Sequence, residues 1–116
     1  MIVAQTEWLA PTEYPDLRSA NEIAIDLETR DPNLKETGSG AIAGDGEVVG
    51  IAVAVDGYKN YFPIAHGEGP NMDRKKTLEW FKDVCESPAT KIFHNAMYDV
   101  CWIRNLGIKI NGLIID

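Results

Sequence analysis

The chain is poor in the features that would mark a secreted, membrane-spanning or zinc-clamped protein. Its 116 residues hold two cysteines, Cys85 and Cys101, and both sit in amphipathic runs. That excludes a disulfide framework and reads as reduced, buried thiols in a cytosolic protein. His66 and His94 stand in no close-paired spacing with those cysteines, so no zinc pattern exists. No apolar run approaches the roughly 18 residues of a membrane helix, and the N-terminus lacks the basic start of a signal peptide. Positive charge is scarce as well. Eleven Lys and Arg face 18 Asp and Glu, for a net charge of −7. A stand-alone nucleic-acid binder relying on phosphate attraction is therefore excluded. Were nucleic acid the substrate, metal ions or another part of a larger protein must supply the positive charge. The length suits one domain with a modest core, and the lead-in, residues 1–21, reads as a separate arm or short edge strand around Ile2-Val3-Ala4 and Trp8-Leu9.

What is present centres on Glu22-Ile23-Ala24-Ile25-Asp26-Leu27-Glu28-Thr29-Arg30. Residues 22–28 read as a buried strand ending in two acids. Alternation sends Ile23, Ile25 and Leu27 to one face and Ala24, Asp26 and Glu28 to the other. Asp26 and Glu28 are then same-face neighbours, roughly 6.5 to 7 Å apart at their Cα atoms. At an effective dielectric near 20 they repel by about 2 kcal/mol. A divalent cation between them reverses that sign, and oxygen-only ligands suit Mg²⁺ or Mn²⁺.

Residues 30–46, rich in Gly, Asp, Asn and Ser, read as a long surface loop. Within it Gly38-Ser39-Gly40-Ala41-Ile42-Ala43 formally fits a dinucleotide-binding pattern, but Gly44-Asp45-Gly46 stops any helix at once. Residues 47–56 read as a strand, Asp56-Gly57 as a tight hairpin turn, and Tyr58 to Ile64 as the returning strand. Asn71 is expected to cap a helix running to about Glu86, with Thr77, Leu78, Phe81, Val84 and Cys85 inward, and Ser87-Pro88 closing it. Lys91 to His94 is a short strand. A second helix over about 96–106 turns Ala96, Val100, Ile103 and Leu106 inward and stops at Gly107. Gly112 to Asp116 reads as one more buried strand. A strand with nothing after it implies a partial sequence. Three antiparallel strands followed by βαβ crossovers describe an α/β fold, a mixed five-stranded sheet with flanking helices.

Asp99 is the third acid of interest. It lies one helical turn after Asn95, so both face the same way near a helix start. If that helix packs beside the acidic strand, Asp99 can reach Asp26 and Glu28, and Asn95 can offer its amide to a substrate oxygen. Three carboxylates at one sheet edge can hold two metals roughly 3.5–4 Å apart for an in-line displacement at phosphorus.

Ile25-Asp26-Leu27-Glu28-Thr29 resembles the first motif of DEDD-type 3′–5′ exonucleases, and His94-Asn95-Ala96-Met97-Tyr98-Asp99 resembles their second. Tyr61-Phe62-Pro63-Ile64 with His66, and the run from Gly107-Ile108 to Leu113-Ile114-Ile115-Asp116, are similar to the proofreading domain of family A DNA polymerases, phage-like ones above all. The resemblance covers about 22–116. It implies a ribonuclease-H-like fold and metal-dependent removal of 3′-terminal nucleotides. It further implies Asp26, Glu28 and Asp99 as catalytic metal ligands for two Mg²⁺ or Mn²⁺ ions. Leu27, Thr29 and Asn95 would lie beside the terminal nucleotide. The implied partners are a single-stranded or frayed DNA 3′ end and the remainder of a DNA polymerase chain, in the cytoplasm and away from membranes. The family's third motif, a tyrosine four residues before a fourth aspartate, has no counterpart here. Residues 22–116 thus read as a partial exonuclease domain without its C-terminal helices, weak or inactive by itself. Asp116 falls where the family has a structural aspartate and is not assigned catalysis.

Plainer readings stand beside this one. Asp26 and Glu28 can be strand-end surface acids, Asp99 a solvated helix residue and Asn95 only a helix cap. Tyr98 reads as core packing, Trp80 and Trp102 as core or half-buried, and Arg74-Lys75-Lys76 as a solvated helix end. Rival functions are a catalytically incomplete exonuclease-like scaffold that binds a strand end, and a ribonuclease of the same fold.

Overall fold

The structure, a computed structural model, describes residues 9–116. Five strands form one sheet: β1 (Glu22–Arg30), β2 (Glu47–Val55), β3 (Tyr58–Pro63), β4 (Thr90–Ile92) and β5 (Ile114–Ile115). Their order is β3-β2-β1-β4-β5. The first three pair antiparallel, and β4 and β5 join parallel to β1 through crossovers. This is the mixed sheet that the element order led one to expect, and its strand order is that of the ribonuclease-H-like fold which the family resemblance implied. Gly57 makes the β2–β3 turn with φ 80°, where a side chain would be strained.

Two longer helices serve as crossovers, α3 (Arg74–Glu86) and α4 (Ala96–Asn105). Both pack on the sheet face that carries Ile23, Ile25, Leu27, Ile51, Val53 and Phe62. Phe81, Val84 and Cys85 come from α3, and Trp102 and Ile103 from α4. The opposite face is open among the described residues. It forms a concavity of about 740 Å³ over Ala24, Ala52 and Ala54, edged by Asp26, Lys59, Tyr61, Ile92 and His94. Within one strand, odd positions make the core and even positions line this bare face.

Several local expectations need correction. The loop over 30–46 contains two single-turn helices, α1 (Leu34–Thr37) and α2 (Gly40–Ala43). Asp31 accepts the Gly40 amide, and Asn105 on α4 donates to Ala41 O. Tertiary bonds of this kind hold turns too short to stand alone. The cap of α3 is Asp73, which accepts from the Lys76 amide at 2.8 Å, and not Asn71. On α4 the expected Ala96, Val100, Ile103 and Leu106 do pack on the core, but the buried residues also include Asp99 and Trp102. β5 is an edge strand: Ile114 and Ile115 remain exposed rather than buried.

The described part of the lead-in lies along α3. Leu17 joins the core, Trp80 Nε1 donates to Pro15 O, and the Tyr14 hydroxyl pairs with Thr77. The reading of Ile2-Val3-Ala4 and Trp8 as strand or arm lies outside the described residues. Among them, no helix is long and apolar enough to cross a membrane. Cys85 is buried and Cys101 half-buried, both unpaired. Trp80 and Trp102 are half-buried and buried, and both pack against the core.

Candidate active site

The site lies where β1 outruns β4. The two strands pair only from Glu22 to Ala24 on β1, so the following β1 residues present an unpaired edge. Asp99, in the first turn of α4, fills that gap. Its Oδ2 accepts the Leu27 amide at 3.3 Å, and the residue is only 5% exposed. Burial raises its carboxyl to a pKa of about 6; the Leu27 amide pulls the other way, and the Asp26 charge adds to the rise. Asp99 is therefore a neighbour of Asp26, reaching the sheet edge from the helix-covered layer. A solvated helix residue would show neither the burial nor the coupling.

Asp26 and Glu28 are exposed and share the bare face. Their β2 partners are Ala52 and Gly50, small residues that leave the acids uncovered. The strand shifts register between Glu28 and Thr29, a bulge of the sort that re-aims side chains next to active sites. The Tyr61 hydroxyl on β3 lies over Gly50, the register partner of Glu28; burial first, and then the neighbouring Glu28 carboxylate, hold the phenol above its ordinary range. The four groups thus fall into two pairs, Asp26 with Asp99 and Glu28 with Tyr61. Among the described residues no three His, Cys, Asp or Glu side chains stand close enough to share one ion. The donor chemistry still fits a hard divalent cation, being all oxygen and holding a like-charged neighbouring pair.

The remaining predicted residues divide. Leu27 is buried, so its side chain belongs to the core while its amide anchors Asp99. Asn95 occupies the cap position of α4, but its side chain makes no capping bond. The first amide of that helix, Ala96 N, instead donates to Asp116 Oδ1 at 3.3 Å. Asp116 therefore has a structural contact. Thr29 lies half-buried with its hydroxyl 2.8 Å from Tyr98.

Tyr98 is more than core packing. Its hydroxyl donates to Asp31 Oδ2 at 2.7 Å. With that single proton committed, Thr29 is the donor to Tyr98. Asp31 also receives the Gly40 amide, so one carboxylate ties α2, the end of β1 and α4 together. The sequence reading missed Asp31. Its signal was only an acid directly after the last residue of the bulged strand, which any loop offers.

No protein-family model matches the chain. Among curated proteins, a DNA-directed DNA polymerase of Pseudomonas phage M6 is 36% identical over 114 residues. The chain is similar to one part of this phage DNA polymerase. The match covers 90% of the chain and 16% of the polymerase, so the chain spans about a sixth of its relative. Solved structures with a similar arrangement include Brucella melitensis NrnC, at 20% identity and TM-score 0.47 over 78% of this chain and 37% of that one. A second NrnC structure, with bound Mg²⁺, reaches 21% and 0.45 over 78% and 38%. The family B DNA polymerase of Pyrobaculum calidifontis gives 20% and 0.43 over 75% and 11%. The match to a phage DNA polymerase agrees with the family resemblance read from the sequence, and the strand order β3-β2-β1-β4-β5 is that of a mixed ribonuclease-H-like sheet.

Proposed function

We propose that the chain is the 3′–5′ exonuclease portion of a phage-type DNA polymerase, hydrolysing the terminal phosphodiester of a single-stranded or frayed DNA 3′ end. The observation that carries this reading is the buried Asp99 carboxyl, held on the Leu27 amide beside Asp26. Asp26, Glu28 and Asp99 would hold Mg²⁺ or Mn²⁺, which when bound supplies Lewis acidity at the phosphoryl group and a nucleophile drawn from water near neutral pH. Leu27 N–H orients the Asp99 carboxyl, and Tyr98 keeps Thr29 and the start of α4 in register with the end of β1. Asn95, exposed at the head of α4, offers an amide to a substrate oxygen on the solvent side. The rest of a polymerase chain supplies the positive charge that a net −7 lacks.

The test uses this chain as it stands. Mn²⁺ binding is followed by the loss of the free-ion paramagnetic resonance signal, and 5′-labelled single-stranded DNA and RNA are incubated with Mn²⁺ or EDTA. The expected result is Mn²⁺ binding abolished by Asp26→Ala. Any shortening should be slow and Mn²⁺-dependent, proceed from the 3′ end and favour DNA. Mn²⁺ binding unchanged in Asp26→Ala overturns the reading. Shortening of RNA in preference to DNA replaces it with a ribonuclease.

A further inference from the structure

Glu28 has a support that Asp26 lacks, and the support comes from two strands away. Register pairs Glu28 with Gly50 on β2, and pairs Ala52, two residues on, with Tyr61 on β3. Tyr61 therefore reaches Glu28 by lying diagonally over β2. A Cβ built on Gly50 would come within 1.7 Å of the Tyr61 hydroxyl and 2.1 Å of its ring carbon Cζ. Only glycine leaves that passage clear, the close-approach use of a strand glycine. On its other side the hydroxyl bonds Nε2 of His66, just beyond β3. The His66 backbone is clamped twice by one amide: its N–H donates to Asn71 Oδ1 at 2.8 Å, and Asn71 Nδ2 donates to its carbonyl at 2.9 Å. That is the visible task of Asn71.

Proton counting orders the chain. An ionised carboxylate only accepts, and a phenol has one proton to give. If the phenol proton is turned to the Glu28 carboxylate, His66 Nε2–H donates to the Tyr61 oxygen and His66 is the Nε2-protonated tautomer. That arrangement would engage one Glu28 oxygen and leave the other for a ligand.

We infer that Tyr61, backed by His66 and admitted by Gly50, is a positioning residue that holds the Glu28 carboxylate for a divalent cation. The inference rests on the reading of Asp26, Glu28 and Asp99 as a cation site. A purely structural hairpin contact would stabilise β2 on β3 and leave ion affinity untouched.

The test measures Mn²⁺ affinity of the whole chain by paramagnetic resonance, together with thermal melting and the ¹⁵N shifts of the His66 ring. Tyr61→Phe is expected to weaken Mn²⁺ binding about tenfold, in the range found for groups that orient metal ligands, and to release His66 from the Nε2-protonated tautomer. Gly50→Ala should lower affinity likewise by displacing Tyr61. His66→Gln, which keeps an N–H donor, should retain affinity where His66→Ala loses it. Should Gly50→Ala unfold, the two His66 variants and Tyr61→Phe still decide. Wild-type affinity in Tyr61→Phe, with Glu28→Gln binding poorly, overturns the positioning role and leaves the cation site standing. Wild-type affinity in Glu28→Gln instead removes the cation site itself.

Discussion

One strand of this molecule serves two unlike surfaces. Toward α3 and α4, β1 shows Ile23, Ile25 and Leu27, at 0%, 2% and 8% exposure. Toward the bare face it shows Ala24, Asp26 and Glu28, with Gly50, Ala52 and Ala54 beside them on β2. The first set is bulky and branched, the second small or acidic. The core is written on the odd positions and the proposed chemistry on the even ones, separated only by the pleat. Substitutions of matched severity on the two faces should therefore fail in different assays.

The largest effect belongs to the covered face. Phe62 is fully buried and stacks near Tyr14 and Trp80. Phe62→Ala should cost about 3–5 kcal/mol in urea unfolding. A loss below about 1 kcal/mol would mean that the helix-covered layer is not the main core.

Asp99 stands between the two surfaces, and its prediction has a pH signature. Burial raises its folded pKa from 3.8 to about 6. The folded state therefore binds the proton more tightly than the unfolded chain. Stability from this group is complete below about pH 3.8, declines as pH rises through the interval, and is gone above about 6. Asp99→Asn removes that decline and still accepts the Leu27 amide through its side-chain oxygen. In metal-free buffer at pH 8 it should be more stable than wild type by about 1–2 kcal/mol, a figure reduced for partial solvation. It should bind Mn²⁺ poorly. Parallel pH–stability curves for the two proteins would refute the coupling of Asp99 to burial.

Asp26→Asn completes the contrast from the open face. An exposed carboxylate with small neighbours should change unfolding stability by no more than about 0.5 kcal/mol. The same substitution should abolish Mn²⁺ binding and lower the pH midpoint of the Asp99 decline, because one like charge is gone. A large stability loss here would mean that the bare face is structural after all.

Legibility in the sequence followed the same division. Strand β1, the Asp56-Gly57 hairpin and the Asp26–Glu28 pair were readable because period two and turn chemistry act locally. The Asn95–Asp99 spacing was readable for the equivalent helical reason, and it led to the one residue that closes the site. The inner face of α4 was read incompletely, because an apolar pattern cannot count a buried aspartate as inward; Asp99 and Trp102 are buried there while Val100 still packs on the core. The cap of α3 fell to Asp73 over Asn71, two residue types with equal claims until His66 is seen to need the second. Single-turn helices in the 30–46 segment have no periodicity long enough to read and depend on Asp31 and Asn105. The Tyr61–Glu28 contact needs the register of three strands, which no local signal carries.

The smallest expected effect separates the two cysteines and probes the covered layer without altering it. Cys85 lies at 0% exposure between α3 and the sheet, and burial pushes its thiol up to about 12. The nearby Lys91 ammonium opposes this only in part, being spent on Ser87 O and Asn111 O. Cys101, half-buried on α4, has a route to solvent. A thiol reagent at pH 8 should therefore modify one equivalent quickly, at Cys101. The second should follow only as fast as the core opens, because a thiolate must form before it can attack. Phe62→Ala should speed that second reaction, while Asp26→Asn should leave it unchanged. Equal acceleration by both would show that the two faces of the sheet unfold as one and that their separation is chemical but not energetic.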